Sequence, residues 1–162
     1  MFDFLLKSFL GRLLLTFLVS VVPVIELRGA IPIGYREEDG LAGLLLIIAV
    51  AIIGDMRPVP FIILLIKKIF AFIRRKIPKL NGMITKLENK ALSKANTVQK
   101  YAFWGLFIFV AIPFPGTGAW TGALIAAMLD MRLKKAVPSI FLGVVTAGII
   151  LAVVTYLGVE IF

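Results

Sequence analysis

A carboxylate and a guanidinium stand two residues apart inside an apolar stretch of the sequence, as Glu26 and Arg28 of "VIELRGAIPIG" (24–34). An ionisable side chain at the middle of a bilayer costs roughly 2.5–3.5 kcal/mol on insertion scales, so such residues are usually functional. Arg28 could hold a phosphate or another anionic headgroup through paired hydrogen bonds. Glu26 could hold Arg28 in place, or take up and release a proton. The pair is a candidate binding and coupling site, with a structural ion pair as the alternative.

The backbone around this pair is predicted to be broken. Gly29 and the Ile31–Pro32 peptide favour extended backbone. Residues two apart project to the same side of an extended segment but point apart on a helix. We therefore expect Glu26 and Arg28 to point together into a shared cavity. The residues predicted to interrupt the helix here are Pro23, Gly29 and Pro32.

A second acid and base occur at the same spacing, as Asp55 and Arg57 of "GDMRPVP" (54–60). They lie within a predicted membrane span, because the apolar helix before them is only about 20 Å long and the hydrocarbon core is about 30 Å thick. This pair either completes the cavity of Glu26 and Arg28 from the other side or forms an ion pair at an interfacial bend. Both interpretations stay open.

Other chemistries lack the residues that they need. The sequence contains neither Cys nor His, which excludes disulfides, thiolate metal sites and the usual proton shuttle. It has no phosphate-binding Walker loop, no HExxH motif and no serine–histidine set. We expect no enzymatic activity, no metal and no cofactor.

The composition indicates an integral membrane protein with a single domain, residues 1–162. Of its 162 residues, 60% are hydrophobic and 17% are charged, and its mean hydropathy is +1.03. A soluble domain has about 45–50% apolar and about 25% charged residues. The amount of apolar sequence leaves no room for a large soluble domain.

The positive charge is concentrated in one segment, residues 67–100. This segment has ten basic residues and a single acid, Glu88, and so accounts for the whole net charge of +9. Such a loop between apolar segments is typical of a cytoplasmic loop that faces anionic lipid headgroups; nucleic-acid binding is not expected. Residues 67–77 have helical amphipathic periodicity and are predicted to form an interfacial helix that ends at Pro78.

Two halves flank this basic linker, and each contains an interrupted apolar segment followed by a long one. The first half is 1–66, with a hairpin at 9–35 and a span at 41–66, and the second half is 101–162, with a hairpin at 101–129 and a span at 136–158.

The segment 101–129 has basic residues on both flanks, so the positive-inside rule places both of its ends in the cytoplasm. A re-entrant hairpin of two half-helices satisfies this condition. Trp120 and Thr121 are candidates for lining a cavity. Gly118, Gly122 and Ala126 form a small-xxx-small face, which favours close helix packing and would permit a homodimer. The predicted interruption of this hairpin consists of Pro113, Pro115, Gly116 and Gly118.

The two halves share Ala-Ile-Pro, at 30–32 and 111–113, an offset of 81 residues. Inverted repeats with interrupted helices that meet at the midplane recur in transporters. We predict an all-α integral membrane protein with an inverted repeat, in which each half is a re-entrant helical hairpin plus a transmembrane helix. Lys7 and Arg12 favour the alternative, in which 9–35 crosses the membrane fully.

Three motifs, "ELRGAIPIG", "GDMRPVPF" and "IPFPGTGAWTGALIA", resemble the putative small multidrug export protein family of prokaryotic membrane proteins. That family looks like a distant branch of the DedA superfamily. The resemblance covers nearly the whole chain. It implies a multi-pass protein of the prokaryotic cytoplasmic membrane, re-entrant hairpins, and proton-coupled movement of lipid-linked phosphates such as undecaprenyl phosphate. Glu26 matches an acidic residue of the first hairpin, whereas Thr117 and Trp120 stand where relatives commonly have an arginine.

Three functions remain open. The favoured one is a DedA-like transporter or flippase for an amphipathic anionic substrate, because each membrane acid has its own arginine two residues later. The alternative is a proton-coupled exporter of small cationic compounds, in which Glu26 and Asp55 exchange protons for cations. The third is a membrane scaffold that transports nothing. Membrane lipids are the expected partners.

Overall fold

A computed structural model describes residues 8–99, 103–114 and 116–161. The described residues are 86% helix and contain no strand. This confirms the all-α prediction. The helices are α1 (Phe9–Val21), α2 (Glu26–Gly34), α3 (Gly40–Met56), α4 (Val59–Lys76), α5 (Asn81–Gln99), α6 (Phe103–Ala111), α7 (Ala119–Met128) and α8 (Leu133–Ile161), with 3-10 turns at Glu37–Asp39 and Pro78–Leu80.

The first interruption lies at residues 22–25, between α1 and α2. Pro23 lies in this turn, where Val24 has a φ of 77° and Glu26 a φ of 50°. Left-handed backbone is uncommon for such residues and is retained only where the surroundings impose it. Gly29 and Pro32, which were expected to extend the break, lie inside α2 instead.

The expectation of extended backbone after Glu26 is therefore wrong. Residues 26–34 form α2 because the helix buries one face completely, with Leu27, Ala30 and Ile31 at most 2% exposed. That burial outweighs the local preferences of Gly29 and of the residue before a proline. Tertiary packing commonly overrides such propensities.

The predicted span at 41–66 is two helices with a bend at Arg57 and Pro58. Because proline has no amide hydrogen to continue a helical ladder, α3 ends before Pro58 and α4 begins after it. The predicted interfacial helix at 67–77 is not separate, since it forms the last turns of α4. This helix ends at Lys76, two residues before Pro78.

Within the described residues, two helical segments are long and apolar enough to cross a membrane, namely Glu37–Lys76 and Leu133–Gly158. The second belongs to α8, which extends beyond the predicted span at 136–158 at both ends. Large apolar side chains are widely exposed along these helices, for example Phe61 at 65% and Val154 at 61%. In a membrane protein such side chains face lipid.

The second interruption lies at residues 112–118, between α6 and α7. Pro113, Gly116 and Gly118 lie in it, and the two glycines have positive φ angles of 84° and 146°. Pro115 lies outside the described residues, as do residues 100–102 at the predicted start of this hairpin.

The core forms where the two halves meet. Helix α8 packs along α6, α1 packs against α2 and α3, and α7 packs against α4 and α5. Gly122 and Ala126 of the small-xxx-small face are buried inside the chain; a Cβ on Gly122 would come within 2.7 Å of Val110. This face therefore serves packing within the subunit, and the homodimer stays a prediction.

Helix α5 belongs to the basic linker, but it packs against the rest of the chain. Ile84 and Ala91, seven residues apart, are each 1% exposed, and the helix packs on α6 and α7. The linker thus contributes to the core as well as to the surface.

Candidate functional site

The two interruptions meet at the start of α2. Glu26 and Arg28 point apart on this helix, as expected for residues two positions apart, and each reaches a different end of the interruption between α6 and α7. The predicted Glu26–Arg28 pair therefore connects the two halves of the chain. Glu26 and Arg28 do not form a direct ion pair within 4 Å among the described residues.

Glu26 caps the beginning of α7. Its side chain is buried, at 4% exposure, and its Oε1 accepts a hydrogen bond of 3.1 Å from the Trp120 amide. The first amides of a helix have no partner within the helix, and their partial positive charge favours a carboxylate. Gly118 completes the cap, because a Cβ at this position would overlap the Glu26 carboxylate.

Arg28 binds the other end of the interruption, at the end of α6. Its guanidinium donates to the Phe114 carbonyl, to the Ile112 carbonyl at 3.4 Å and to the Thr117 hydroxyl at 2.8 Å. The Thr117 hydroxyl in turn donates to the Ile112 carbonyl at 2.6 Å. Both carbonyls follow the end of α6 at Ala111, so Arg28 binds the non-helical backbone of the interruption itself. Arg28 is thus occupied by backbone in this conformation.

Asp55 is the exceptional residue of the site. It lies near the end of α3, it is 0% exposed, and neither of its carboxylate oxygens has a hydrogen-bond partner among the described residues. An ionised carboxylate in such a place is costly by several kcal/mol, and nearly all buried polar groups do have partners. A bound proton or cation would remove this cost.

Asp55 lies beside the first pair, on the opposite wall of a shared internal gap. Glu26, Arg28 and Asp55 line this gap together with Gly118 and Val144, and it has no room for a water-sized sphere. Two carboxylates and one guanidinium therefore border a gap that has no room for water, and neither carboxylate lies within 4 Å of the guanidinium. The structure thus places Asp55 next to Glu26 and Arg28, and the role of Asp55 stays a prediction.

Arg57 does not line the internal gap that Asp55 shares with Glu26 and Arg28. Its side chain is exposed and lines a surface groove with Met56, Phe61 and Phe141. The expectation that each membrane acid keeps the arginine two residues later is wrong for Asp55. Both residues have helical backbone at the end of α3, and side chains two positions apart on a helix point in different directions.

A larger cavity of about 500 Å³ lies beside the second interruption, on the side where α5 of the basic linker packs. Its walls are mainly apolar, and Glu26 lines both this cavity and the dry gap. Trp120 and Thr121, the two predicted lining residues, both border it. Its other lining residues include Ile62, Ile66, Phe70, Leu87, Leu124 and Thr117.

Sequence reasoning missed Lys90, which brings a second charge to this cavity from α5. Ile84, Leu87 and Ala91 recur at helical spacing and indicated that this helix has an apolar face, but nothing in the sequence says what that face covers. Lys90 follows Leu87 by three residues and so lies on the same side.

Sequence reasoning also missed the ion pair of Arg12 with Asp39, which joins α1 to the 3-10 turn before α3. Arg12 is 3% exposed, and Glu38 lies 3.7 Å from it on the same side. Arg12 had been counted as a free positive charge near the N-terminus. The acidic turn neutralises it.

A comparison with models of protein families matches residues 26–150 to the family with the description "Putative small multi-drug export protein". The matched region contains Glu26, Arg28, Asp55 and both helices of the second interruption. Searches against curated proteins and against solved structures found no match.

Proposed function

Because the chain belongs to the "Putative small multi-drug export protein" family, we propose that it is a membrane transporter that exports amphipathic organic cations in exchange for protons. The observation that carries this proposal is the buried, unpartnered Asp55 beside Glu26 and Arg28. Two acids that share one base leave one carboxylate available for a proton or a cation. The sequence had favoured an anionic substrate because each acid was expected to have its own arginine, and this reason no longer holds.

The cavity of about 500 Å³ is the proposed place for the substrate. Its volume lies in the usual range of pockets for small organic ligands, which are mainly apolar with a few polar groups. Trp120 and Phe70 supply aromatic surface, and a cation over such a ring is attracted by its face. Glu26 is the acid that the cation would meet.

Glu26 also supplies the proposed link between substrate and proton. Its carboxylate lines both the cavity and the gap that holds Asp55. A cation that approaches Glu26 changes the charge balance around Arg28 and Asp55, and the proton on Asp55 can leave in response. Exchange then requires that the substrate and the proton are not held by the site at the same time.

A lipid-linked phosphate is the second candidate substrate, as expected for a DedA-like flippase. Lys90 favours it, since this ammonium group lines the same cavity and would attract a phosphate. The apolar walls would suit an isoprenoid tail of the undecaprenyl phosphate class. Arg28 weighs against this candidate because three acceptors of the interruption already occupy it.

We further propose that both interrupted segments are re-entrant hairpins related as an inverted repeat. Helices α1, α2, α6 and α7 have 13, 9, 9 and 10 residues, which corresponds to about 14–20 Å each. None of them reaches across a hydrocarbon core of about 30 Å. Non-helical backbone at membrane depth survives where its polar groups are satisfied by protein, and here Arg28 and Glu26 of α2 bind the backbone at both ends of the second interruption.

The proposed location is the prokaryotic cytoplasmic membrane, with the basic linker 67–100 in the cytoplasm. Since Asp39 neutralises Arg12, Arg12 no longer favours a cytoplasmic N-terminus. The acidic turn Glu37–Asp39 then faces the outside, as the inverted repeat requires.

Purified protein in liposomes tests the function. With a pH-sensitive dye inside the vesicles, tetraphenylphosphonium added outside should drive a proton flux through the wild-type protein. Asp55→Asn should reduce this flux at least tenfold, because the amide cannot exchange a proton. Asp130→Asn is the matched control: this carboxylate is 83% exposed and lies outside the gap, so its removal should change the flux less than twofold.

The same vesicles separate the alternatives. If Asp55→Asn transports tetraphenylphosphonium at the wild-type rate and with the same proton flux, proton exchange at this site is wrong. If Lys90→Gln abolishes the transbilayer movement of an isoprenoid phosphate that the wild type supports, and Asp55→Asn does not affect it, the second candidate is correct. If the wild type moves neither probe, the scaffold hypothesis replaces both.

A further inference from the structure

The last turns of α4 carry two sets of cations on different faces, and Arg75 lies at the border between them because it lines the groove on each face. On the inner face, Lys67 bonds to Asp130 at 2.7 Å and Arg74 bonds to Glu88 at 2.5 Å. Phe70 lies between them, 7% exposed. These residues follow the i, i+3, i+7 spacing of one helix face. Each of the two cations on this face is paired with a carboxylate of another part of the chain.

The outer face consists of Lys68, Phe72, Arg75 and Lys76, at the i, i+4, i+7 and i+8 positions of the same helix. With Ala71 they line a surface groove of about 560 Å³. None of the three cations makes an ion pair within the described part of the chain. The only acid in the sequence 67–100 is Glu88, and Arg74 already holds it, so the linker itself has no carboxylate left for this face.

We propose that the outer face of α4 binds the headgroup of an anionic phospholipid in the adjacent leaflet. Three unpaired cations within about two turns would attract the negative charge of a phosphodiester headgroup such as that of phosphatidylglycerol, as basic residues near an anionic membrane surface do. The inference does not depend on what the protein transports.

The apolar surroundings favour a membrane lipid over a free phosphate. Phe72 is 62% exposed and lies between the cations, and Ile69, one turn earlier on the outside, is 45% exposed. Helix α4 runs into this groove directly from the apolar turn that contains Phe61, Leu64 and Leu65, each at least 42% exposed. Acyl chains can cover this apolar surface while the headgroup meets the cations, as in interfacial helices.

Native mass spectrometry of the purified protein in a neutral detergent tests the proposal. In titrations, the wild-type protein should bind dioleoylphosphatidylglycerol at least 100-fold more tightly than dioleoylphosphatidylcholine. The triple variant Lys68→Gln, Arg75→Gln, Lys76→Gln should bind the anionic lipid about 100-fold more weakly, because each cation contributes about fivefold. Binding of the zwitterionic lipid should stay unchanged.

A second triple variant controls for total charge. Lys79→Gln, Lys86→Gln, Lys134→Gln removes three cations that are also exposed but lie away from the groove, and it should lower the affinity less than threefold. Equal losses in the two triple variants would overturn the proposal, as would displacement of the lipid by millimolar inorganic phosphate. If the first triple variant does not fold, the single change Arg75→Gln should still weaken binding about fivefold, and an unchanged affinity would contradict the assignment.

Discussion

At the scale of single residues, the site depends on two side chains of α2 that satisfy opposite ends of a broken helix. Glu26 accepts from the first amides of α7, and Arg28 donates to the Ile112 and Phe114 carbonyls, which follow the end of α6. Unpaired helix ends inside a membrane are costly because no water reaches them. The two charges therefore have a structural role in addition to any role in transport, and Asp55 is the acid without such a role.

Gly118 provides a test of this arrangement. Its φ of 146° is unfavourable for any other residue, and an added methyl group would overlap the Glu26 carboxylate. Gly118→Ala should destabilise the protein by about 1–3 kcal/mol from backbone strain alone, and more if Glu26 is displaced. Thermal unfolding in detergent should show a clearly lower midpoint.

Gly82→Ala is the control for this prediction. Gly82 lies in α5 with nothing within 4 Å of an added Cβ, so alanine should keep or slightly raise the unfolding midpoint. If Gly118→Ala unfolds at the wild-type temperature, the described contact between Gly118 and Glu26 is wrong.

At the scale of elements, a buried ion pair connects α1 to the 3-10 turn that precedes α3. Asp39 binds Arg12 of α1 and also accepts from the Arg36 amide at 3.0 Å. This holds the 3-10 turn against the start of α1. The close approach of α1, α2 and α3 also needs small residues, since a Cβ on Gly34 or Gly54 would overlap Thr16 or Ser20.

Removing one partner of this pair should destabilise the first half. Arg12 and Asp39 have side-chain exposures of 3% and 6%, and breaking a buried pair by deleting one partner costs about 3–5 kcal/mol. We expect Arg12→Gln to lower the unfolding midpoint strongly, and the double change Arg12→Gln, Asp39→Asn to recover part of the loss.

Arg132→Gln is the control for this prediction. Arg132 is exposed, so this change removes the same charge without disrupting the Arg12–Asp39 pair. A double variant as unstable as Arg12→Gln alone would show that the pair does not couple these elements.

At the scale of the whole molecule, the arrangement in the membrane is the main proposal to test. The chain has no cysteine, so each introduced cysteine is unique. With a membrane-impermeant maleimide on intact cells, Glu37→Cys should be labelled from outside. Lys79→Cys and Arg132→Cys should both be labelled only after permeabilisation, since a re-entrant second hairpin keeps both of its ends on one side.

The informative comparison is between the labelling of Lys79→Cys and that of Arg132→Cys. Labelling of Arg132→Cys but not of Lys79→Cys on intact cells would mean that α6 and α7 cross the membrane together. That result would contradict the inverted repeat while leaving the site geometry intact.

The sequence by itself determined the class of the protein, the helical content, the basic linker and the second interruption. Hydropathy, the concentration of charge at 67–100 and the residues Pro113, Gly116 and Gly118 are local properties, so they can be interpreted without a structure. The motifs also identified the family, which the family model confirms for residues 26–150.

Only the tertiary structure decided which charges meet. The two acid–base pairs have the same i, i+2 spacing but different surroundings. Glu26 and Arg28 both bind the second interruption, whereas Asp55 lies in the internal gap and Arg57 at the surface. The helix at 26–34 forms against local preference because its burial is worth more than the propensities of Gly29 and Pro32. Contacts between residues about 90 positions apart, such as Glu26 with Trp120, depend on how the halves pack, and no local pattern encodes that.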